Sequence, residues 1–319
     1  MKCFTRAALL AGAVGLALTG AAVAQADKPL TILASSPNQA FPFFIHMMKQ
    51  IEAEADKLGN ITITVTDGQD STPKQTADVE AAVAQGVDGI VISPKDVDAM
   101  APAIQAAVDA GVPVVTIDRR VDNVPGILAH VGADNVKGGE AQGNLILELF
   151  PDGANVMNLQ GQPGTSPAID RNKGLHNVLD TVKDKYPIVF EDTANFTREK
   201  GLSVTESALA GMETPPDVIV AANDDMALGA IEALKGRDLI GEVAVIGFDA
   251  LPEAIAAIQE GTLTASIEQL PGGQSRGALD TLVAFLREGA KPAEQVVLLT
   301  PIAITKDNIN EAERIGEVQ

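Results

Sequence analysis

Short β-branched runs alternate with alanine-rich stretches of helical period along most of the chain, and this alternation limits the fold more than any other feature. LTILASS (30–36), ITITVTD (61–67), GIVISP (89–94) and PVVTID (113–118) read as strands, with a helix over 43–58 and further helices between the others. Short, nearly all-apolar runs are the mark of strands covered on both faces. Strand–helix–strand units repeating at roughly 25 residues imply a parallel sheet with right-handed crossovers. The pattern restarts near Val131, with ANVMNLQG (154–161), PIVFED (187–192), DVIVAAND (217–224) and EVAVIGFD (242–249). Two halves of five or so strands each predict an α/β protein made of two doubly wound parallel-sheet lobes. LTASIEQLPGG (263–273) reads as a later strand, turn and helix that the alternation assigns to neither half.

The first 24 residues stand apart from this pattern. Lys2 and Arg6 precede an Ala/Gly/Leu/Val run that ends in Ala22-Val23-Ala24, the anatomy of a secretory signal peptide cleaved near Ala24. No later segment is long and apolar enough to span a membrane. The only cysteine, Cys3, leaves with the leader. The mature chain of about 295 residues is expected to bury two cores without disulfides. Its net charge, −20 for the whole chain, disfavours nucleic acid, anionic lipid and phosphorylated ligands as partners.

In open α/β sheets, ligands bind beyond the carboxyl ends of the strands. Here those ends carry Ser35 and Ser36, Asp67, Asp118 with Arg119, Asn223 with Asp224, and Asp249. Asx residues after a strand often cap the next helix or form a turn, the reading favoured for Asp67 and Asp224. Asp118 and Arg119 put opposite charges at the end of a wholly apolar strand and are read as functional, whereas Arg120 and Asp122 are read as solvated. Asn223 fits either role. The three histidines have no metal-ligand spacing and are read as structural. No G-x-S-x-G elbow, H-E-x-x-H or G-K-[ST] phosphate loop occurs, so no metal and no cofactor is expected. LQGQPGTS (159–166) reads as a tight strand-to-helix turn.

Phenylalanine supplies the last clue. Three of nine lie together in QAFPFF (39–44), in a chain with one tyrosine and no tryptophan. FPFF with EADKLG (54–59), VVTIDRR (114–120), ADNVKGG (133–139), LQGQPGTSPAIDR (159–171), NDDMALGA (223–230), VIGFDALPE (245–253) and EQLP (268–271) follow in order. Together they resemble the type I periplasmic sugar-binding proteins of ABC transporters, the ribose-binding branch most closely, over about 27–307. The resemblance implies two lobes joined by three hinge crossings near 131–134, 267–270 and 295–299. The N-terminal lobe would hold 27–132 plus 270–296, and the C-terminal lobe 133–269 plus 297–319.

It also implies a ligand site. Phe43 and Phe44 match the pair that flanks the sugar ring, and Phe196 an aromatic that covers it from the other lobe. Asp118, Arg119, Arg171, Asn223, Asp249 and Gln269 match the polar contacts. Aromatic rings take the C–H faces of a sugar while planar polar groups take its hydroxyls. Phe41 stands where the ribose-binding pattern has asparagine, so it is expected to reshape the pocket toward another sugar or a polyol. Ser166 and Pro167 lack the acidic and histidine groups of the glucose/galactose-binding relatives. The implied function is capture of a monosaccharide or related polyol in the periplasm by a monomer that delivers it to a membrane ABC permease. Sugar sensing for chemotaxis or two-component signalling is the alternative. Catalysis by paired carboxylates such as Asp118 and Asp249 has no supporting motif, and the chain is read as a non-enzyme.

Overall fold

The computed structural model describes residues 28–318; the expected leader lies outside the described residues. Twelve strands run in chain order: β1 (Leu30–Ser36), β2 (Ile61–Asp67), β3 (Gly89–Ile92), β4 (Val114–Ile117), β5 (Ala129–Ala133), β6 (Val156–Gln160), β7 (Ile188–Thr193), β8 (Val218–Ala221), β9 (Ala244–Phe248), β10 (Ala265–Glu268), β11 (Val296–Leu299) and β12 (Ile302–Ile304). They form two six-stranded sheets, ordered β11-β5-β4-β3-β1-β2 and β12-β10-β9-β8-β6-β7. Every pairing is parallel except that of β10 with β12. In each sheet the order reverses beside the first strand, which places a crevice at the carboxyl ends of β1 and β3 and of β6 and β8. Interior strands β3, β4 and β8 are buried throughout, whereas edge strands β2 and β7 alternate between partial and full exposure.

Among the described residues nine α-helices cover the sheets: α1 (Pro42–Leu58), α2 (Thr72–Gln85), α3 (Ala101–Asp109), α4 (Asn135–Leu149), α5 (Ser166–Leu179), α6 (Arg198–Gly211), α7 (Asp224–Lys235), α8 (Pro252–Glu260) and α9 (Pro271–Glu288). Side-chain oxygens of Ser71, Asp134, Thr165, Thr197 and Asn223 accept from helix-start N–H groups and so fix where five of them begin. Helix α1 begins instead on Pro42, whose fixed φ suits the first turn. One core packs α2 and α3 on the first sheet through Val79, Met100 and Ile104 against Leu33, Ile90 and Ile92. Another packs α4 and α5 on the second sheet through Ile146, Leu175 and Leu179 against Val156 and Val220. The third is continuous across both sheets, from Met47, Ile51 and Leu282 over Val91 and Val115 to Met226, Leu234 and Ile255 over Ile219 and Val245.

The chain passes between the sheets after β5, after β10 and after β11. Helix α9 packs on α1, β4 and β5, and so belongs with the first sheet. Strand β11 does too, pairing Val296–Leu299 with His130–Ala133. This corrects a boundary expected between Val296 and Val297, which cuts through a strand of the first sheet. The break lies at Thr300-Pro301, where proline has no N–H to continue a ladder. The halves also touch outside the crossings. Val97 N donates to Gly164 O at 3.0 Å, Gln162 Nε2 to Asp70 Oδ2 at 3.0 Å, and Arg120 N to Ser166 Oγ at 3.0 Å. Arg120 and Asp122 were expected to be solvated; instead the Arg120 guanidinium holds Asp122 in its own half and Asp170 in the other.

Two glycines let α4 and α5 meet backbone to backbone. A Cβ at Gly139 would lie 2.0 Å from Arg171 O, and one at Gly174 2.0 Å from Val136 O. Neither obstacle can rotate away. Gly174→Val should therefore cost about 2 kcal/mol or more of unfolding free energy in urea titration, while Gly211→Ala, where nothing lies within 4 Å, stays near wild type.

Candidate functional site

All ten residues singled out from the sequence line one cavity between the two sheets: Phe41, Phe43, Phe44, Asp118 and Arg119 from the first half, Arg171, Phe196, Asn223 and Asp249 from the second, and Gln269 from the second crossing. Its volume is about 30 Å³, well below the range typical for small-molecule pockets. Pro167 and Asp225 complete the wall and were absent from the expected ligand-binding set. In the sequence Asp225 reads as an ordinary first-turn acid of α7, and its place on the cavity wall is seen only in the fold.

Phe41 caps the start of α1, which brings Phe43 and Phe44 into the crevice. Phe44 meets Phe43 edge-on at 5.4 Å and Phe41 edge-on at 6.4 Å between ring centroids. Phe41 thus both packs on its neighbour and lines the cavity.

Asp118 follows β4 in a left-handed conformation (φ 60°), and Arg119 N donates to Ile117 O across it. This three-residue turn is strained. It presents both side chains at the strand end, each 3 % exposed. Asp118 accepts from Ser93 Oγ at 3.3 Å and lies 3.9 Å from Arg119 Nε. The Arg119 guanidinium stands over the Phe44 ring at 5.2 Å and donates to Lys95 O, while its Nε has no hydrogen-bond partner. A buried donor left open on a cavity wall is an invitation to a ligand acceptor.

Arg171 is the counterpart from α5. Its Nε donates to Asn135 Oδ1 at 2.8 Å and its Nη1 to Ala222 O at 2.7 Å. Nη1 also lies 3.6 Å from Asp249 Oδ1, and the guanidinium stacks 3.6 Å over the Phe248 ring. Gln269 Nε2 donates to Asp249 Oδ1, and Gln274 Nε2 donates to Gln269 O. Phe196 (φ 61°), Asp249 (φ 112°) and Leu270 (φ 58°) share the left-handed backbone of Asp118, so departures from ordinary strand geometry gather around the cavity.

Asn223 caps a helix and also lines the cavity. Its Oδ1 caps α7 by accepting from Met226 N, its Nδ2 donates to Phe196 O, and it faces the cavity. Asp67 is a turn residue that accepts from Gln39 N and Gln69 N. Asp224, fully buried, accepts from Ser266 Oγ and Leu251 N and so fixes the β9–α8 turn. His46, His130 and His176 lie apart, beside Glu317, Thr116 and Asp180 respectively.

Burial raises the Asp249 carboxyl to about 7, opposed by the nearby Arg171 charge and the Gln269 hydrogen bond. A carboxyl that binds its proton more tightly folded than unfolded contributes stability that is full below its unfolded value and is lost as pH rises through the folded one. The ligand-free protein should therefore lose thermal stability between about pH 4 and 7. Calorimetric Tm values across that range should fall less steeply in Asp249→Asn. Glu268, also raised to about 7 by burial, keeps part of the slope in the variant.

The chain matches the periplasmic binding protein domain over residues 32–291. It is 41% identical over 248 residues to the ribose import binding protein RbsB of Bacillus subtilis, covering 76% of this chain and 77% of that protein. Among solved structures it superposes on the Caulobacter myo-inositol binding protein bound to myo-inositol with a TM-score of 0.87 and 40% identity, covering 95% of this chain and all of that one. It superposes on an ABC transporter periplasmic solute-binding protein from Actinobacillus succinogenes with bound D-allose at 0.81 and 30% identity, covering 89% and 99%. A match over most of the chain, a two-sheet fold and a cavity between the sheets agree: the protein belongs to the type I periplasmic binding proteins that serve ABC transporters.

Proposed function

We propose that the protein captures one polyhydroxylated ring, a monosaccharide or a cyclic polyol of the myo-inositol kind, and delivers it to a membrane ABC permease as an exported monomer without chemical change. The observation that carries this reading is the composition of the cavity between the two sheets. Phe43, Phe44 and Phe196 offer apolar faces, while Asp118, Arg119, Arg171, Asn223, Asp249 and Gln269 offer polar groups around them. A cyclic polyol presents the same contrast of C–H faces and hydroxyl rim. Charges at this depth are tolerated because each has a partner, and ligand hydroxyls supply the remaining ones. The cavity takes its walls from both halves, so a bound ring touches both at once only when they are closed, and this difference in contact drives closure.

Phe41 favours the polyol over ribose. It places an apolar ring, already packed on Phe44, where the ribose-binding pattern has a hydrogen-bonding amide. The strong similarity to a myo-inositol complex points the same way.

Titration calorimetry against pentoses, hexoses and inositols should find a tight ligand among the cyclic polyols or hexoses; no heat with any of them defeats the proposal. Asp118→Ala should weaken that ligand by about 3 kcal/mol, more than a hundredfold in Kd, with unchanged circular dichroism. Phe41→Asn should gain affinity for ribose. Mass analysis of the small molecule released on denaturing protein purified from cells identifies the natural ligand directly.

A further inference from the structure

Asp225, the second residue of α7, has a different standing from every other acid around the cavity. It is 9 % exposed and lines the cavity, yet among the described residues it makes no hydrogen bond. Its one ionic neighbour, Arg198 Nη2, lies 3.6 Å away, and that guanidinium is held more closely by Glu253. Asp118 and Asp249, by contrast, each accept a hydrogen bond and lie beside a guanidinium on the same wall.

The charge balance of the enclosure points the same way. Three carboxylates face the cavity against two guanidiniums, those of Arg119 and Arg171. Asp224 stands just behind the wall with hydrogen bonds but no ion pair among the described residues. All four of these carboxyls lie above the usual carboxylate range, with burial the largest cause in each case. A carboxylate whose charge burial disfavours gains more from a cation placed beside it than from a neutral group of equal size, and more than a water-exposed acid would. A bound ammonium displaces little, because Arg198 is 39 % exposed and also lines a neighbouring groove with Pro42 and Leu251, into which it can turn.

We propose that Asp225 is a specificity-determining residue that directs the site toward a polyhydroxylated ring bearing one ammonium group, an amino sugar or an amino-cyclitol. The proposal rests on the reading of the cavity as a site for a single polyol ring, and narrows its ligand class. The carboxylate accepts a charge-assisted hydrogen bond from the ammonium, whereas a hydroxyl at the same place offers a neutral donor.

Calorimetry at pH 7.5 with matched pairs tests it: inositol against an amino-deoxy inositol, and glucose against glucosamine. The readout is the ratio of the two dissociation constants within a pair. In the wild type the amine should bind about tenfold more tightly in at least one pair. Asp225→Asn should bring that ratio to about one, and Asp225→Glu, which keeps the charge, should preserve the preference. Neutral rings that bind as tightly as their amines in the wild type, or a ratio that survives in Asp225→Asn, overturn the inference and leave the polyol reading standing. If neither member of any pair binds the wild type, the polyol reading itself fails and this inference falls with it.

Discussion

Two guanidinium groups, Arg119 and Arg171, lie 3 % exposed between the sheets, and most of what surrounds them exists to make that burial possible. A charge removed from water is stable only when its donors are met. For Arg171 they are met by Asn135 at the start of α4, Ala222 after β8 and Asp249 after β9, with the Phe248 ring beneath. Three separate strand-to-helix junctions must therefore be placed correctly before one side chain is satisfied. The close approach of α4 and α5 at Gly139 and Gly174 serves the same end, because it fixes the backbone from which Arg171 projects. Arg119 is met less completely: its side chain lines the cavity, and its buried Nε has no hydrogen-bond partner among the described residues.

Strain and charge are concentrated together. Asp118, Phe196, Asp249 and Leu270 all hold positive φ without being glycine, and all lie at the cavity or the crossing beside it. Such backbones persist where the surrounding structure over-determines them. Here the surroundings are parallel ladders buried on both faces, stiff enough to hold an unfavourable turn at their carboxyl ends.

Much of this is legible in the sequence because it is local. Short β-branched apolar runs and period-3.6 stretches mark the strands and helices, and polar residues at the ends of apolar runs mark the crevice. The ten expected positions meet in one cavity because the parallel topology sends all strand ends to the same side of each sheet. What escaped is non-local. Val296, Val297 and Leu298 form an exposed edge strand, and nothing in VVLL says which of two sheets it joins. Arg120 looks solvated beside Asp122 until α5 of the other half brings Asp170 to it. Asp225 resembles an ordinary helix-start acid, and only the packing of α7 against the crevice shows that it faces inward.

The path of the chain has a consequence for the order of folding. The first sheet is not complete when its fifth strand is made: its covering helix, Pro271–Glu288, and its edge strand, Val296–Leu299, come after the whole of the second sheet but β12. A chain emerging from its N-terminus therefore lacks the helix that covers one face of β3, β4 and β5 until Pro271–Glu288 is available. The second half, from β6 to β10, can assemble while the first waits, against the usual tendency of N-terminal units to finish first. Closing contacts over such sequence separations slows folding. The nascent protein is thus kept incomplete by its own topology rather than by weak interactions.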